Sequence, residues 1–390
     1  MRDVYLIGIG QTKITKDTGM RGRYMAQSAI QDAIDHAGIE KDQISMLVMG
    51  NMMSGILARQ QQLGALVADV VGLRSIEAAT VESACSSGAS AARWGVMSVA
   101  GGLHDTVVVC GMERMTHADK DNVTQALATA ADWELEGCYG ESFISLNAKI
   151  MKLYMETYGV ASEDFAHFSL NAHDNGLNNS NAFLRKKVDL DMYLNSRMLN
   201  DPVKLFDAPP VCDGSAAVIL ACEEVAKAAS RQGLPLIKVA GSAIGTDSLA
   251  LAARTDKLVL SGVVASTQRV FEQAGVSNDD IDIYELHDAY TIITSLSLEA
   301  AGFAEKGRGV HFGKDGEIAL TGRLPISTMG GLKSRGHPVG ATGVYQLVET
   351  YLQLTGTAGV NQIADPEIAL VQNIGGTGAT VVSHILQRES

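Results

Sequence analysis

Short apolar segments alternate with amphipathic ones along the first part of the chain. VYLIGIG (4–10), ISMLVMGNM (44–52) and TVVVCGME (106–113) are short and largely apolar, which predicts strands. The last is too continuously apolar for one side to face water, a pattern typical of a sheet covered on both faces. MAQSAIQDAIDHAG (25–38) has helical periodicity and ends at a glycine, which predicts an amphipathic helix with a glycine cap. This alternation predicts a layered α/β fold.

Two segments of the first half of the chain return in the second half. AGIEKDQISMLVMGN (37–51) is similar to AGVSNDDIDIYELHD (274–288), and CSSGAS (85–90) is similar to HPVGAT (337–342). One explanation is chance similarity between two βαβ units. The interpretation that we prefer is two copies of one fold that face each other, because the pairs occur in the same order. The cysteine and the histidine that open the two hexapeptides would then occupy equivalent positions.

A long polar stretch separates the two halves. Residues 118–204 are polar, irregular and only partly helical, which predicts an insertion that lies over a site. A strand and a helix resume at 211–229, and QGLP (232–235) has the composition of a connector. The predicted units are an N-terminal half (1–117 and 205–231), a loop domain (118–204) and a C-terminal half (235–390).

Composition excludes several classes of function. The 390 residues are 46% hydrophobic and carry a formal net charge of −13, which argues against a nucleic-acid partner. No apolar run reaches the ~18–20 residues that span a bilayer, and the N-terminus lacks the features of a signal peptide. We therefore expect a cytoplasmic protein without a membrane segment. The five cysteines form no CxxC pair, so neither a metal site nor a disulfide framework is predicted.

One of these cysteines has the surroundings of a nucleophile. In ESACSSGASAARWGVMSVAGG (82–102), Cys85 comes just before a helix-like segment, among small residues that leave room for a substrate. The positive end of a helix dipole lowers the pKa of a thiol and favours the thiolate. The alternative is a buried structural cysteine. The small-residue setting favours catalysis, so we predict that Cys85 is the nucleophile.

A histidine in a glycine-rich loop is the first candidate for its base. In GGLKSRGHPVGATG (330–343), His337 stands between Gly336 and Pro338 at the start of a predicted helix. A cysteine nucleophile needs a base that takes its proton. A lone histidine is more often a structural residue, but a rigid glycine-rich loop can hold one within hydrogen-bond reach of the thiol.

Two further segments follow predicted strands. In YELHDAYT (284–291), His287 and Asp288 are adjacent and would point to opposite faces, so one can face a site. QNIGGTGAT (372–380) could present backbone N–H groups to a developing oxyanion, although this motif alone could be any turn.

Taken together and in this order, the segments SACSSG, CDGSAAV, HDAY, GHPVGATG and NIGGTG resemble the thiolase family. The histidine–aspartate pair resembles the motif of the archaeal and sterol-carrier-protein-like acetyl-CoA C-acetyltransferases, since other thiolases carry Asn-Glu at this position. The resemblance implies a five-layered αβαβα fold, built from two similar halves plus a loop domain that covers the coenzyme A site. It implies coenzyme A thioesters as substrates and no covalently bound cofactor.

The resemblance also implies roles for individual residues. Cys85 would be acylated by acetyl-CoA and activated by His337. His287 would stand where many thiolases have an asparagine that positions an oxyanion-hole water. The backbone N–H groups of Cys85 and Gly375 would form the second oxyanion hole. Ser242 would lie near the pantetheine arm of coenzyme A.

One departure from the family pattern concerns the acid/base for the α-proton. Thiolases carry a second cysteine in the terminal loop or in the His-Asp motif, but this chain has Asn373 and Ala289 there. We expect a histidine to inherit the task, and we favour His287 because His337 is committed to Cys85. The same Cys-His-His set resembles that of decarboxylating ketoacyl synthases, which need no such base.

The resemblance predicts an acetyl-CoA C-acetyltransferase that condenses two acetyl-CoA to acetoacetyl-CoA and coenzyme A and feeds the mevalonate pathway. The alternatives are a degradative 3-ketoacyl-CoA thiolase, a ketoacyl synthase and a non-catalytic acyl-CoA-binding scaffold. Expected partners are a second copy of the chain, as a homodimer or a dimer of dimers. A complex with 3-hydroxy-3-methylglutaryl-CoA (HMG-CoA) synthase and a small zinc-ribbon/OB-fold protein is also expected by family analogy.

Overall fold

The computed structural model describes residues 2–17, 19–229 and 234–389. Within them the strands are β1 (Val4–Gln11), β2 (Met46–Gly50), β3 (Glu77–Val81), β4 (Thr106–Glu113), β5 (Met198–Asn200), β6 (Val203–Lys204), β7 (Gly214–Cys222), β8 (Leu236–Thr246), β9 (Ile283–Glu285), β10 (Ile368–Gly375) and β11 (Thr380–Glu389). The α-helices are α1 (Gly22–Ala37), α2 (Ser54–Leu57), α3 (Leu63–Val71), α4 (Ser87–Ala100), α5 (Lys120–Ala128), α6 (Phe143–Tyr158), α7 (Ala166–Gly176), α8 (Leu190–Leu194), α9 (Glu223–Ala229), α10 (Ser261–Ala274), α11 (Thr291–Ala300), α12 (Gly309–Lys314) and α13 (Thr342–Leu354). A π-helical turn spans Gly331–Arg335.

The elements predicted for the first half are confirmed. Strands β1, β2 and β4 lie within or close to the three apolar segments, and all residues of β2 and β4 are buried. Helix α1 starts three residues earlier than predicted and ends at Gly38, whose φ of 67° closes the helix with a hydrogen bond to the carbonyl of Ile34. Glycine adopts this left-handed conformation without a steric penalty, which is why the helix stops there.

The strands form one hydrogen-bonded array in which the second half repeats the first. The order in the described residues is β3-β2-β4-β7-β1-β8-β11-β10-β9. From the centre outward, β8, β11, β10 and β9 repeat the order of β1, β7, β4 and β2. The directions repeat too, because β2–β4 and β9–β10 are parallel whereas the inner pairs are antiparallel. A two-residue pairing of β1 with β8 joins the halves, so the predicted internal repeat is confirmed.

Helices fill the space between the halves and cover their outer faces. Helices α4 and α13 contact each other, and each contacts strands of both halves, so they form a central layer. Strand residues that point toward them alternate with residues that pack under α1 and α3 on the outer face. Helix α10 covers β8 and β11 of the second half. The result is the αβαβα order of layers that the resemblance implied.

The segment 118–204 is more regular than its composition predicts. It carries α5 to α8 and the short β5–β6 ladder, and it packs on the second half through contacts of α6 and α7 with α11. The boundaries of the three predicted units stay predictions. The boundary at residue 231 and the first two residues of the connector (232–235) lie outside the described residues.

Candidate active site

A cavity of about 610 Å³ opens where the loop between β3 and α4, the loop before α13 and the 118–204 segment meet. Cys85, His287 and His337 all line it. Most of the other lining side chains are apolar, among them Met115, Val123, Leu127, Phe143, Ile144 and Ile293. The three residues predicted to carry the chemistry therefore share one apolar cavity.

Cys85 sits on a strained turn between β3 and α4. The preceding residue, Ala84, has φ of 53°, which is unfavourable for a residue with a side chain. Hydrogen bonds hold this turn, because the Ala84 N–H donates to the Glu82 carboxylate at 2.6 Å and the Ser87 hydroxyl donates to the Ala84 carbonyl at 2.6 Å. The turn fixes the position of the thiol at the N-terminal end of α4.

Burial works against the thiolate that we expected at Cys85. Burial raises its pKa to about 12, and this effect outweighs the opposing effect of backbone N–H groups, including that of Gly376. Glu113 raises the pKa further. The prediction considered the helix dipole but not the desolvation of a 6% exposed side chain. Cys85 therefore needs a base at the moment of reaction.

His337 is held in the orientation of a base. Its Nδ1 lies 2.7 Å from the Thr342 hydroxyl, and that hydroxyl donates its hydrogen to the carbonyl of Pro338 at 3.2 Å. A hydroxyl has one hydrogen, so in this arrangement Nδ1–H donates to it and the lone pair of His337 lies on Nε2, an assignment of the tautomer from heavy-atom distances. The backbone N–H of His337 donates to Cys212 Sγ at 3.1 Å, which fixes the loop from behind.

His287 follows β9, and its Nδ1 is not free. The side-chain amide nitrogen of Asn373 lies 2.9 Å from Nδ1. The expectation that His287 is the α-proton base assumed a ring without such a partner. Asp288, its neighbour, points away and is bound by Lys333 and the backbone N–H of Leu332.

The three side chains are close enough to act together. Cys85 Sγ and one ring nitrogen of each histidine lie within 4.8 Å of one another. The two imidazole rings are 5.1 Å apart between centroids and nearly perpendicular, at 83°. In the part of the chain that the structure describes, this is also the one group of three His, Cys or carboxylate side chains near enough to hold a metal ion.

Gly375 borders the cysteine turn at the end of β10. A Cβ on Gly375 would lie 2.4 Å from the carbonyl oxygen of Ser83, so the close approach requires glycine. The N–H that faces Cys85 Sγ, however, belongs to the next residue, Gly376, which lines the cavity. The donor role of Gly375 stays a prediction, and Gly376 is a donor that sequence reasoning missed.

Ser242 is not brought to the cavity. It lies in β8, its carbonyl accepts from the Arg93 guanidinium of α4, and its N–H donates to the Gln273 side chain of α10 at 2.9 Å. It does not belong to the cavity lining. The serine links β8 to the helices on either side, and its predicted contact with pantetheine stays a prediction that this placement does not support.

A buried charge network beneath the histidines was not predicted. Lys333 pairs with Asp288 at 3.0 Å and Arg335 pairs with Glu349 at 2.7 Å, and each of these side chains is 1% exposed. Lys333 and Arg335 stand in the GGLKSRGH segment. Two charged residues in a loop of otherwise small and apolar residues were the feature of the sequence that could have predicted buried ion pairs. Their partners could not be identified from that segment, because Asp288 lies 45 residues before Lys333 and Glu349 lies 14 residues after Arg335, in α13.

Burial and this network lower the pKa of both histidines. The pKa of His287 falls to about 3, mainly through burial and then through the positive charges of Arg335 and Lys333. Burial lowers the pKa of His337 well below its usual range, with His287 and Arg335 adding to the effect. Asp288 opposes the effect at His337, and the balance favours the neutral form of both rings.

Glu113 is a second buried group that sequence reasoning missed. Its carboxylate accepts from the side chain of Asn51, the N–H of Met52 and the N–H of Gly340. Burial raises its pKa to about 7. The contact with Gly340 ties the end of β4 in the first half to the loop that carries His337.

Comparisons with known proteins identify the family of the chain. The family model "Thiolase, N-terminal domain" matches residues 4–224, and "Thiolase C-terminal domain-like" matches residues 243–388. The chain is 39% identical over 388 residues to an acetyl-CoA acetyltransferase of Methanothermobacter thermautotrophicus, covering 100% of both chains. It is 34% identical to one of Methanocaldococcus jannaschii, covering 99% of both. A solved structure of an Ltp2-ChsH2(DUF35) aldolase superposes with a TM-score of 0.86 at 24% identity, over 99% of this chain and 98% of that one. In the described residues, no helix is long and apolar enough to cross a membrane.

Proposed function

The chain belongs to the thiolase family and is an acyltransferase, and we propose that it is an acetyl-CoA C-acetyltransferase that condenses two acetyl-CoA to acetoacetyl-CoA and coenzyme A. The observation that carries the proposal is the trio of Cys85, His337 and His287 in one apolar cavity. Its two archaeal relatives bear the name of this activity. Coenzyme A thioesters are substrates here, not a resident cofactor.

In the first half-reaction His337 Nε2 takes the proton of the Cys85 thiol, and the sulfur attacks the thioester carbon of acetyl-CoA. The tetrahedral oxyanion accepts hydrogen bonds from the N–H groups of Cys85 and of Gly375 or Gly376. Collapse breaks the bond between the carbonyl carbon and the sulfur of coenzyme A. The departing thiolate takes the proton back from His337, which leaves acetyl-Cys85 and free coenzyme A.

In the second half-reaction the neutral His337 is available again. Its Nε2 removes an α-proton from the second acetyl-CoA, whose carbonyl oxygen accepts a hydrogen bond from His287. The carbanion attacks the acetyl carbon on Cys85, the bond to Sγ breaks, and the thiolate regains the proton from His337. This assignment reverses our sequence-based preference for His287, because the Thr342 contact leaves the lone pair on His337 Nε2.

The cavity supports one alternative substrate. Its volume is about 610 Å³, more than an acetyl group fills, although the pantetheine arm must also enter. Its apolar lining would also suit a longer acyl chain. A degradative 3-ketoacyl-CoA thiolase for longer chains is therefore the second candidate. Lys16 and Lys120 at the cavity are positive groups suited to the phosphates of coenzyme A.

We propose a second copy of this chain as the first partner. Strand β3 is an edge of the array with exposed residues, and Trp94 and Met97 of the neighbouring α4 are about half exposed, at 52% and 51%. Unpaired edges and exposed apolar side chains are typical of subunit contacts.

A cytoplasmic role in the mevalonate pathway, and a complex with HMG-CoA synthase and a zinc-ribbon/OB-fold protein, are further proposals. The similar solved structure, Ltp2-ChsH2(DUF35) aldolase, bears the names of two proteins, which supports the search for a partner.

Acyl trapping tests the proposed function. Purified protein mixed with labelled acetyl-CoA is expected to carry one acetyl group on Cys85 by peptide mass spectrometry, and to cleave acetoacetyl-CoA when coenzyme A is supplied. Cys85→Ala should lose both, whereas the matched control Cys138→Ala, at an exposed cysteine, should keep both. Acetyl found on another cysteine in Cys85→Ala would refute the nucleophile. A protein that never acylates would be a scaffold, and preference for longer 3-ketoacyl-CoA would favour the degradative alternative.

A further inference from the structure

We propose that Gln346 and Asn373 are positioning residues that fix the ring proton of His287 on Nε2, so that His287 presents an N–H and not a lone pair to the cavity. The inference deepens the proposed function at the same site. It rests on that function only for its catalytic consequence, since the position of a ring proton can be measured without turnover.

The hydrogen bonds that run from Gln346 through Asn373 to His287 are called the relay below. They begin at the side-chain amide of Gln346, which is 1% exposed. Its Nε2 lies 3.2, 2.8 and 3.1 Å from the backbone carbonyl oxygens of Glu285, Leu286 and Gln372. Carbonyl oxygens only accept hydrogen bonds. A flipped amide would set its own oxygen against three others in a buried site, so Oε1 must point the other way, toward Asn373.

The orientation of Asn373 follows from that of Gln346. Its side-chain nitrogen lies 2.8 Å from Gln346 Oε1 and 2.9 Å from His287 Nδ1. Since Gln346 Oε1 accepts, this atom must be the NH₂ group, and its second hydrogen is directed at the imidazole. His287 Nδ1 can only accept it, which requires the ring proton to be on Nε2. The amide serves through its two N–H groups, because Asn373 Oδ1 has no hydrogen-bond partner among the described residues.

The relay gives the two neighbouring histidines opposite tautomers. Thr342 accepts from His337 and leaves it a lone pair on Nε2, whereas Asn373 donates to His287 and leaves it an N–H. One ring is thereby suited to take a proton, and the other to stabilise a negative oxygen. Asn373 stands where, by the family resemblance, thiolases with a terminal-loop cysteine carry that second cysteine. In this chain the residue thus acts through His287.

The same relay opposes metal capture by the catalytic trio. A metal ion on His287 Nε2 would move the ring proton to Nδ1, where it would meet the N–H of Asn373. A carboxylate in place of that amide would accept the proton and favour the metal-binding tautomer. Asn373→Asp, which keeps the size of the side chain, should therefore reverse the tautomer and create affinity for a metal ion.

The first experiment measures the tautomer in the unsubstituted protein. With ¹⁵N-labelled histidine, long-range nitrogen–proton correlation spectra distinguish rings protonated on Nε2 from rings protonated on Nδ1, and loss of a signal in His287→Asn assigns it. We expect His287 to carry its proton on Nε2. A proton on Nδ1 in the wild-type protein would overturn the proposal. His287→Asn serves only to assign the signal, and a wild-type circular dichroism spectrum of this variant is the control for that assignment.

The second experiment titrates the protein with Co²⁺ as a spectroscopic probe. Asn373→Asp, with a wild-type circular dichroism spectrum, is expected to bind Co²⁺ about 10–100-fold more tightly than wild type, with a thiolate-to-metal charge-transfer band. The band should vanish when Cys85→Ala is added. Equal affinity of wild type and Asn373→Asp would overturn the relay. Failure of Cys85 to acylate would refute the proposed function but leave both of these results unaffected.

Discussion

The loops that carry Cys85 and His337 occupy equivalent positions in the two halves, each before a helix of the central layer, yet they are stabilised in opposite ways. The cysteine loop is held mainly by hydroxyl groups, together with the exposed Glu82 carboxylate that accepts from the Ala84 N–H. Ser83 and Ser90 share a hydrogen bond of 2.7 Å between their hydroxyls, and the Ser86 hydroxyl donates to the Ser83 carbonyl at 2.7 Å. These short links fix the backbone with hydrogen bonds and not with a buried ion pair.

The histidine loop rests on buried ions instead. Lys333 and Arg335 precede His337. Lys333 is paired with Asp288 after β9, and Arg335 is paired with Glu349 of α13, the helix that follows the loop. Positive charge of this kind lowers the pKa of a histidine because it repels the imidazolium. A base must stay unprotonated to work, whereas a thiol that is to be acylated needs only to be reachable. The contrast indicates that one repeated scaffold was given two electrostatic environments to suit two chemical tasks.

The largest effect expected from breaking this contrast comes from His337→Gln. Glutamine keeps polarity but provides no base, so the acylation burst with acetyl-CoA should slow by about 10²–10⁴-fold. Rapid-quench mass spectrometry of acetyl-Cys85 measures it. His167→Gln, at a histidine outside the cavity lining, is the control and should acylate at the wild-type rate.

The companion variant His287→Asn separates a base from a donor. Asparagine retains an N–H but has no basic nitrogen, so proton–deuterium exchange at the α-carbon of bound acetyl-CoA should persist in His287→Asn and disappear in His337→Gln. Loss of exchange in His287→Asn together with normal exchange in His337→Gln would restore His287 as the base.

A smaller effect should appear in stability when the two loops are compared. Lys333→Met leaves Asp288 buried without its cation, so the free energy of unfolding should fall by about 3–5 kcal/mol. Ser86→Ala, in the equivalent loop, removes only neutral hydrogen bonds and should cost about 1 kcal/mol. Denaturant unfolding of both variants measures the difference.

Lys227→Met is the control for charge removal, because its ion pair with Glu223 lies at the surface, and no measurable change is expected. Equal losses for Lys333→Met and Ser86→Ala would contradict the view that the two loops are held by different forces.

Much of the architecture could be predicted because patterns within contiguous segments of the sequence indicate it. The repeated segments at 37–51 and 274–288 gave the two halves, and the motifs around Cys85, His287 and His337 gave the trio. Each of these signals is contiguous in sequence. Hydrophobic periodicity and glycine spacing carry such information directly.

The features that sequence patterns did not predict depend on burial and on contacts outside the local segment. The charge state of Cys85 is decided by burial, which outweighs the local helix dipole. The role of His287 is decided by the orientation of Asn373, which is set by Gln346 and three backbone carbonyls. Ser242 was chosen by family position, but in the fold its hydrogen bonds point to α4 and α10. No one-dimensional pattern encodes these contacts.

The smallest effect, and the one that separates site from fold, concerns acid pH. With an ordinary pKa of about 6.5, roughly one His337 in ten would be neutral at pH 5.5, and acylation would fall about tenfold from its rate at pH 7.5. Because burial and nearby charge hold the pKa of His337 well below that value and the pKa of His287 at about 3, we expect the acylation rate to change by less than about twofold between pH 7.5 and pH 5.5.

The stability of the fold should depend on pH in a different way. A folded-state pKa below the unfolded value gives a contribution that is present above pH ~6.5 and is lost as the pH falls toward the folded pKa. The rate per folded molecule should therefore stay level while the contribution of the histidines to stability is lost. Buried carboxyls with a raised pKa, such as Glu113 at about 7, act in the opposite direction, so circular dichroism should compare the pH dependence of the unfolding midpoint in wild type and in His287→Asn, where it is expected to be smaller, and rapid-quench acylation should follow the rate on the same wild-type samples. A tenfold fall in rate centred near pH 6.5 in fully folded protein would mean that His337 titrates normally, and the buried charges would then have no part in keeping the base neutral.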